Sequence, residues 1–215
     1  MKTLAIIAQK GGSGKTTVAV HMAACAAQRK LKTAIIDIDP QRSAFRWNES
    51  RTENRKLDAV AADISQLADL LQQAESGGVE LAIIDTAPHS SAAAAIAAKL
   101  ADYVLIPCRP ARFDLDAIAA TLEIAKAANT PAAVVINAAA TRGRLAEEAR
   151  AALTREGATV VETVLHQRAA YSHAVIDGRS VHEYEPKGAA AAEIDELYNH
   201  ITRLYGKFER GRKAA

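Results

Sequence analysis

Gln9-Lys10-Gly11-Gly12-Ser13-Gly14-Lys15-Thr16-Thr17 is the stretch on which the reading of the chain turns. The apolar run Leu4-Ala5-Ile6-Ile7-Ala8 precedes it, and a helix-compatible stretch starts near Thr16. Strand, glycine-rich loop, then helix is the order in which this spacing holds phosphate. The glycines let the backbone curl so that successive N–H groups point inward, and the helix N-terminus adds its partial positive charge. Gly11, Gly12, Ser13, Gly14, Lys15, Thr16 and Thr17 are therefore the candidate nucleotide contacts. Lys15 would reach the terminal phosphates, and the Thr16 hydroxyl would ligate Mg²⁺. Gln9 stands where the usual pattern has glycine, and a second lysine, Lys10, lies five residues before Lys15.

Working outward, Thr33-Ala34-Ile35-Ile36 reads as a buried strand that runs into Asp37-Ile38-Asp39-Pro40-Gln41. Alternation points Asp37 and Asp39 the same way at the strand's C-terminal end, where open α/β sheets bind ligands. Two loop acids capping the next helix is the competing reading. Leu81-Ala82-Ile83-Ile84 delivers Asp85 in the Walker B manner, a carboxylate on a rigid strand placed to hold a metal's water shell. His89, just beyond, is read as facing water rather than a partner subunit.

Further strands are predicted over residues 102–107, 132–136 and 158–165, with an edge strand at 57–61. Helices are predicted over 16–28, 92–100, 114–128 with Asp114 as acidic N-cap, 144–155, from 167 to about 177, and 188–208. Ile64, Leu67, Ala68, Leu70 and Leu71 form one more helical stripe. The pattern is α/β, a mostly parallel twisted sheet with helices on both faces, in a single domain over 1–215 that ends in a basic tail from 203. The stripe Ile194, Leu197, Ile201, Leu204, Tyr205 and Phe208 reads as core rather than membrane anchor. His21 reads as a packing or surface residue.

At 215 residues and a formal charge of +2, bulk charge does not point to nucleic acid. Its distribution is less even: residues 1–56 carry eleven Lys and Arg against four Asp and Glu, and 203–213 carry five against one. Arg42, Arg46, Arg51 and Arg55 make a basic surface, solvated or touching DNA. Cys25 and Cys108, with no C-x-x-C spacing, give neither a disulfide framework nor a metal site, which suits a reducing cytoplasm. No signal peptide precedes Gln9, and no apolar run is long enough to span a membrane.

Two lysines bracketing Gly-Gly-x-Gly resemble the deviant Walker A motif of the ParA/MinD ATPase class. Asp-x-Asp-Pro-Gln with Trp47 downstream, Ile83-Ile84-Asp85, Ile106-Pro107 through Asp114, and Gln167-Arg168 through Glu183 carry the resemblance over nearly the whole chain. It is similar above all to short ParA-type partition ATPases. The resemblance implies a P-loop NTPase that binds ATP or ADP with Mg²⁺ and forms an ATP-dependent homodimer. Lys10 would cross to the partner's nucleotide, joining Lys15 and Asp39 as the catalytic set. It further implies that Asp37 helps hold Mg²⁺ through water, with Thr16 and Asp85, while Asp39 orients the attacking water. Asn137 would lie by the adenine, Arg168 would contact the nucleotide, and the backbone of 178–183 would border the base.

The implied partners are non-specific DNA and a ParB-like or other centromere-binding protein that stimulates hydrolysis, in a cytoplasmic, nucleoid-associated setting and with no membrane. Lys207, Arg210, Arg212 and Lys213 are the DNA-contact candidates, or else a solubilising tail. The first strand begins at Thr3 with no helix-turn-helix before it, so operator binding is not expected. The absence of Asn-Lys-x-Asp argues against guanine. A MinD-like membrane-cycling ATPase and a protein-cargo-positioning ATPase are the alternatives. An iron-protein reductase on this fold would need cluster cysteines, and Cys25 and Cys108 sit at the wrong places. The cargo, whether plasmid, chromosome, protein assembly or transfer DNA, stays open.

Overall fold

A computed structural model describes residues 1–52 and 57–212, with side chains described apart from those of 113, 116 and 206–212. In chain order the elements are β1 (Lys2–Ile6), α1 (Lys15–Gln28), β2 (Thr33–Asp37), α2 (Ser43–Glu49), β3 (Leu57–Ala61) and α3 (Leu67–Ser76). They continue as β4 (Leu81–Asp85), α4 (Ser91–Leu100), β5 (Tyr103–Cys108), α5 (Arg112–Ala127), β6 (Ala132–Ala139) and α6 (Leu145–Arg155). The last are β7 (Val160–His166), α7 (Ala169–Ile176), α8 (Val181–Tyr184) and α9 (Ala189–Arg212).

All seven strands form one parallel sheet in the order β3-β2-β4-β1-β5-β6-β7. A parallel sheet must be covered on both faces, and its central strands accordingly read as continuous apolar runs. β2 and β4 are buried at all five positions, including their terminal aspartates. One core cluster packs the sheet against α1, α2, α7, α8 and α9, and the other packs it against α3, α4, α5 and α6. Helix α1 is buried on nearly every side, from Val18 through Ala27, and its many alanines allow that close approach. Because β1 lies between β4 and β5, connections leave it toward both edges of the sheet, and the crevice for a ligand opens beyond the strands' C-terminal ends.

The α/β reading holds, and so does the edge strand at 57–61. Ile194, Leu197 and Ile201 are buried, so the stripe of α9 packs as core, and among the described residues no helix is long and apolar enough to cross a membrane. His21 is wholly buried and accepts a hydrogen bond from Val181 N at 3.3 Å.

Several boundaries differ for local reasons. Helix α5 starts at Arg112 with Ala111 as N-cap, so Asp114 sits in its first turn and is not the cap. Strand β6 continues past Asn137 because the ladder tolerates a bulge there and Ala138 takes a left-handed φ of 50°. Arg168 is the N-cap of α7 rather than a residue inside it.

Arg51 departs furthest from expectation. It is not part of a basic surface: its side chain is 6 % exposed, and its guanidinium pairs with Glu183 at 2.7 Å, donates to Gly178 O at 3.0 Å and lies over the Trp47 ring. Arg42 and Arg46 are exposed, and Arg55 lies outside the described residues.

Candidate nucleotide site

Four loops meet beyond the C-terminal ends of β1, β2, β4 and β5. The loop after β1 needs a left-handed backbone at Gly12 (φ 72°) and Gly14 (φ 94°), which side chains rarely adopt. Gly14 has a second constraint, since a Cβ there would meet Asn137 Nδ2 at 2.1 Å. That Nδ2 donates to Ser13 O at 2.7 Å, so Asn137 braces the loop from β6. Asn137 thus fixes the curl of the loop and also lines the cavity beside it.

Lys15, at the start of α1, is 6 % exposed. Burial lowers its pKa, and the neighbouring charges of Asp85 and Asp39 partly restore it. Asp85 is wholly buried, and neither of its oxygens has a hydrogen-bond partner. Burial pushes its carboxyl up to about 7; the nearby Thr16 hydroxyl and Lys15 favour the ionised form, and Asp37 and Asp39 oppose it. The Thr16 hydroxyl does this without reaching proper hydrogen-bond geometry. Thr16 and Lys15 therefore surround a carboxylate that has lost water and gained no donor in return.

Asp37 is equally buried but is satisfied. Its Oδ1 accepts from Asp39 N at 3.0 Å and its Oδ2 from Phe45 N at 3.1 Å. Burial still raises its pKa, against the pull of those N–H groups. The capping reading of this acid is realised, because Asp37 caps the first turn of α2 from the end of β2. Each oxygen keeps a lone pair, so holding a water shell is compatible with that cap. Asp39 is half-buried and accepts from Gln41 N at 2.9 Å, which folds the loop into a turn at the mouth of the site.

Gln9 and Arg109 belong to this site, although the sequence pattern marks Gln9 only as a departure from glycine and assigns Arg109 no role. Gln9 O accepts from His89 N at 3.0 Å, and Gln9 Oε1 accepts from the Ser91 hydroxyl at 3.4 Å, which ties the loop after β4 to the phosphate loop. A glycine at position 9 could not supply the second bond. His89 is exposed in the single chain, with a left-handed φ of 57°. Arg109, just past β5, brings its guanidinium against Gly12. A strand-terminal arginine was the available signal for it.

Lys10 is half-exposed and its Nζ lies 2.6 Å from Asp114 Oδ2. Asp114 is buried, and its other oxygen has no partner. The second lysine is thus docked on α5 of its own chain.

A cavity of about 300 Å³ opens beside the loop, lined by Gly12, Gly14, Arg109, Asn137, Arg168 and Tyr171 among others. The Arg168 guanidinium faces Glu193, with Nε 2.8 Å and Nη2 2.7 Å from Oε1, so Glu193 positions it at the cavity wall. The segment 178–183 is elsewhere. Arg179 O accepts from Trp47 Nε1, Gly178 is packed so closely on Ser50 that a Cβ would meet its carbonyl carbon at 2.7 Å, and the segment lines a separate cavity. The cavity beside the phosphate loop is lined on this side by residues between His166 and Val175. Lys207, Arg210 and Arg212 continue the backbone of α9, and Lys213 lies outside the described residues.

These residues suit a magnesium-bound nucleotide. The curled N–H groups and Lys15 match polyphosphate, Thr16 would be the direct ligand, and the orphaned Asp85 with Asp37 would hold the ion's water shell.

Residues 4–181 match the CbiA family, described as the CobQ/CobB/MinD/ParA nucleotide binding domain. Maintenance of carboxysome distribution protein A from Halothiobacillus neapolitanus is 30 % identical over 208 residues, which is 93 % of this chain and 95 % of that protein. Protein ParA from Rhizobium radiobacter is 27 % identical over 219 residues, 96 % of this chain and 97 % of that one. The crystal structure of the Pyrococcus furiosus cell division ATPase MinD shares the fold, with a TM-score of 0.78 at 16 % identity over 94 % of this chain and 99 % of that chain.

Proposed function

The chain belongs to the CobQ/CobB/MinD/ParA nucleotide-binding family of ATPases, and on that premise we propose that it is an ATP-gated dimerisation switch that positions a cargo on DNA. Lys10 carries the proposal. It sits on the phosphate loop, yet in the single chain its ammonium is held by Asp114. A second ammonium kept off its own nucleotide is available to neutralise another's. When two chains close face to face, each Lys10 exchanges Asp114 for the partner's phosphates. Lys15 holds the terminal phosphates of its own nucleotide, and Asp39, at the site mouth, orients the water. Mg²⁺ supplies charge neutralisation at the phosphates when bound. Phosphoryl transfer depends chiefly on positioning and electrostatics, so a site lacking its second lysine turns over slowly.

The dimer binds DNA without sequence preference through Lys and Arg contacts to phosphate, with Lys207, Arg210, Arg212 and Lys213 the candidates, and this binding weakens steeply with salt. The setting is cytoplasmic and nucleoid-associated, in one domain over 1–215. A partner protein on the cargo stimulates hydrolysis and releases the dimer. The cargo is plasmid DNA, with a ParB-like partner, or a protein assembly. The second is favoured by the near full-length match to a carboxysome-distribution protein, 30 % identical, over that to ParA, 27 % identical. Membrane cycling finds less support, since the apolar stripe of α9 is committed to the core as far as Tyr205.

The test is co-sedimentation with random-sequence DNA under Mg-ATP, Mg-ADP and no nucleotide, alongside phosphate release. ATP-dependent retention lost at high salt is the expected result. Turnover with equal retention in all three states would contradict the switch.

A further inference from the structure

Cys25 on α1, His182 on α8 and Asp195 on α9 bring a thiol, an imidazole and a carboxylate together far from the nucleotide loop, with one ligand atom from each lying within 4.8 Å of the others. Cys25 Sγ lies 3.4 Å from Asp195 Oδ1, and His182 Nε2 lies 3.3 Å from the same oxygen. Metal bonds of about 2.3 Å to sulfur and about 2.0 Å to nitrogen and oxygen, set at tetrahedral angles, place S and O roughly 3.5 Å apart and N and O roughly 3.3 Å apart. Two edges of a tetrahedron are thus already in place.

His182 gives an independent sign. Its side chain is 8 % exposed, and neither Nδ1 nor Nε2 has a hydrogen-bond partner. A buried imidazole with both nitrogens orphaned is costly unless something fills the position. The contact with Asp195 does not meet hydrogen-bond geometry.

We propose that Cys25, His182 and Asp195 form a site for one divalent transition-metal ion of the zinc class, which staples α1 to α8 and α9. Thiolate with imidazole selects such ions over Mg²⁺ and Ca²⁺. Arg29 is the competing cation, with Nη2 2.7 Å from Asp195 Oδ1. It is also held by Asn199 Oδ1 at 2.6 Å and lies over the Tyr198 ring, so it can stay as an outer donor that orients the carboxylate. The fourth position belongs to water, for which the adjoining cavity of about 320 Å³, with His182 in its wall, has room. Binding releases the thiol proton to solvent as the sulfur–metal bond forms. Because α1 begins at Lys15, the ion would tie the helix that carries the nucleotide loop to the C-terminal helices.

Co²⁺ added to the reduced full-length chain in excess Mg²⁺ is the test, read by absorbance and native mass spectrometry. One Co²⁺ per chain with a thiolate-to-cobalt charge-transfer band is expected. Cys25→Ala should remove the band and Cys108→Ala should keep it. Asp195→Asn, whose side chain is half-exposed and whose fold is checked by circular dichroism, should weaken binding by about tenfold or more. No band at saturating Co²⁺, a band that survives Cys25→Ala, or unchanged affinity in Asp195→Asn would overturn the proposal. Wild type, Cys108→Ala and Asp195→Asn decide it even if Cys25→Ala does not fold.

Discussion

Glu193 and Asp85 are both acids taken out of water, and the fold treats them in opposite ways. Glu193 accepts from His166 N at 3.1 Å, Arg168 Nε at 2.8 Å and the Tyr171 hydroxyl at 3.1 Å, with His166 Nδ1 at 2.7 Å. Asp85, at the end of β4, has no donor on either oxygen. A saturated buried carboxylate joins α9 to β7 and α7 and does structural work. An unsaturated one raises the energy of the empty protein and lowers it again when a cation arrives with its water. The difference separates architecture from site more sharply than burial does.

Breaking the comparison starts with the largest effect. Lys15→Ala leaves the site no ammonium of its own, and ATP turnover measured by phosphate release should fall by about 10²- to 10³-fold. Glu193→Gln strips the charge from a satisfied knot and strands Arg168, so chemical denaturation should show a loss of roughly 3 kcal/mol. Asp85→Asn should do the reverse to stability. It should abolish Mg²⁺-dependent turnover while stabilising the nucleotide-free protein by roughly 2 kcal/mol near neutral pH.

The pH dependence sharpens this contrast. The folded pKa of Asp85, about 7, lies above the ordinary carboxylate value of 3.8. Between those values the native chain keeps a proton that the unfolded chain has released. The Asp85 contribution is therefore fully present below the lower value and is lost as pH rises to the upper one. Denaturation of the nucleotide-free protein across that window should show the loss, and Asp85→Asn should remove this part of the slope. The smallest effect is on the other lysine. Lys10→Ala takes a half-exposed ammonium from the buried Asp114 carboxylate and should lower monomer stability by about 1 kcal/mol.

The sheet and phosphate loop were legible because their signals are local. Five-residue apolar strands, a glycine loop and a carboxylate at a strand end need no knowledge of distant partners. Asp37 and Asp85 read alike for that reason, as apolar runs ending in acid. What separates them is the N–H groups of Phe45 and Asp39, which only the fold of the next loop supplies.

Beyond the local shifts of element boundaries, what the sequence hid involves partners far along the chain. Arg51 looked like surface until Glu183 and Gly178 enclosed it. The packing of the 178–183 segment on Trp47 and Ser50 was equally out of sight in its own neighbourhood. Asn137 needed Ser13 to show its bracing role. The docking of Lys10 on Asp114 in the single chain was not visible in either residue's neighbourhood.

The most direct test of the central claim, that Lys10 leaves Asp114 for a partner's phosphates, is light scattering of the wild type and Lys10→Ala with Mg²⁺ and a non-hydrolysable ATP analogue, each checked for nucleotide binding by calorimetry. The account predicts a doubled mass for the wild type alone, with both proteins binding the analogue. Doubling in Lys10→Ala, or a nucleotide-loaded wild type that stays a monomer, would contradict it.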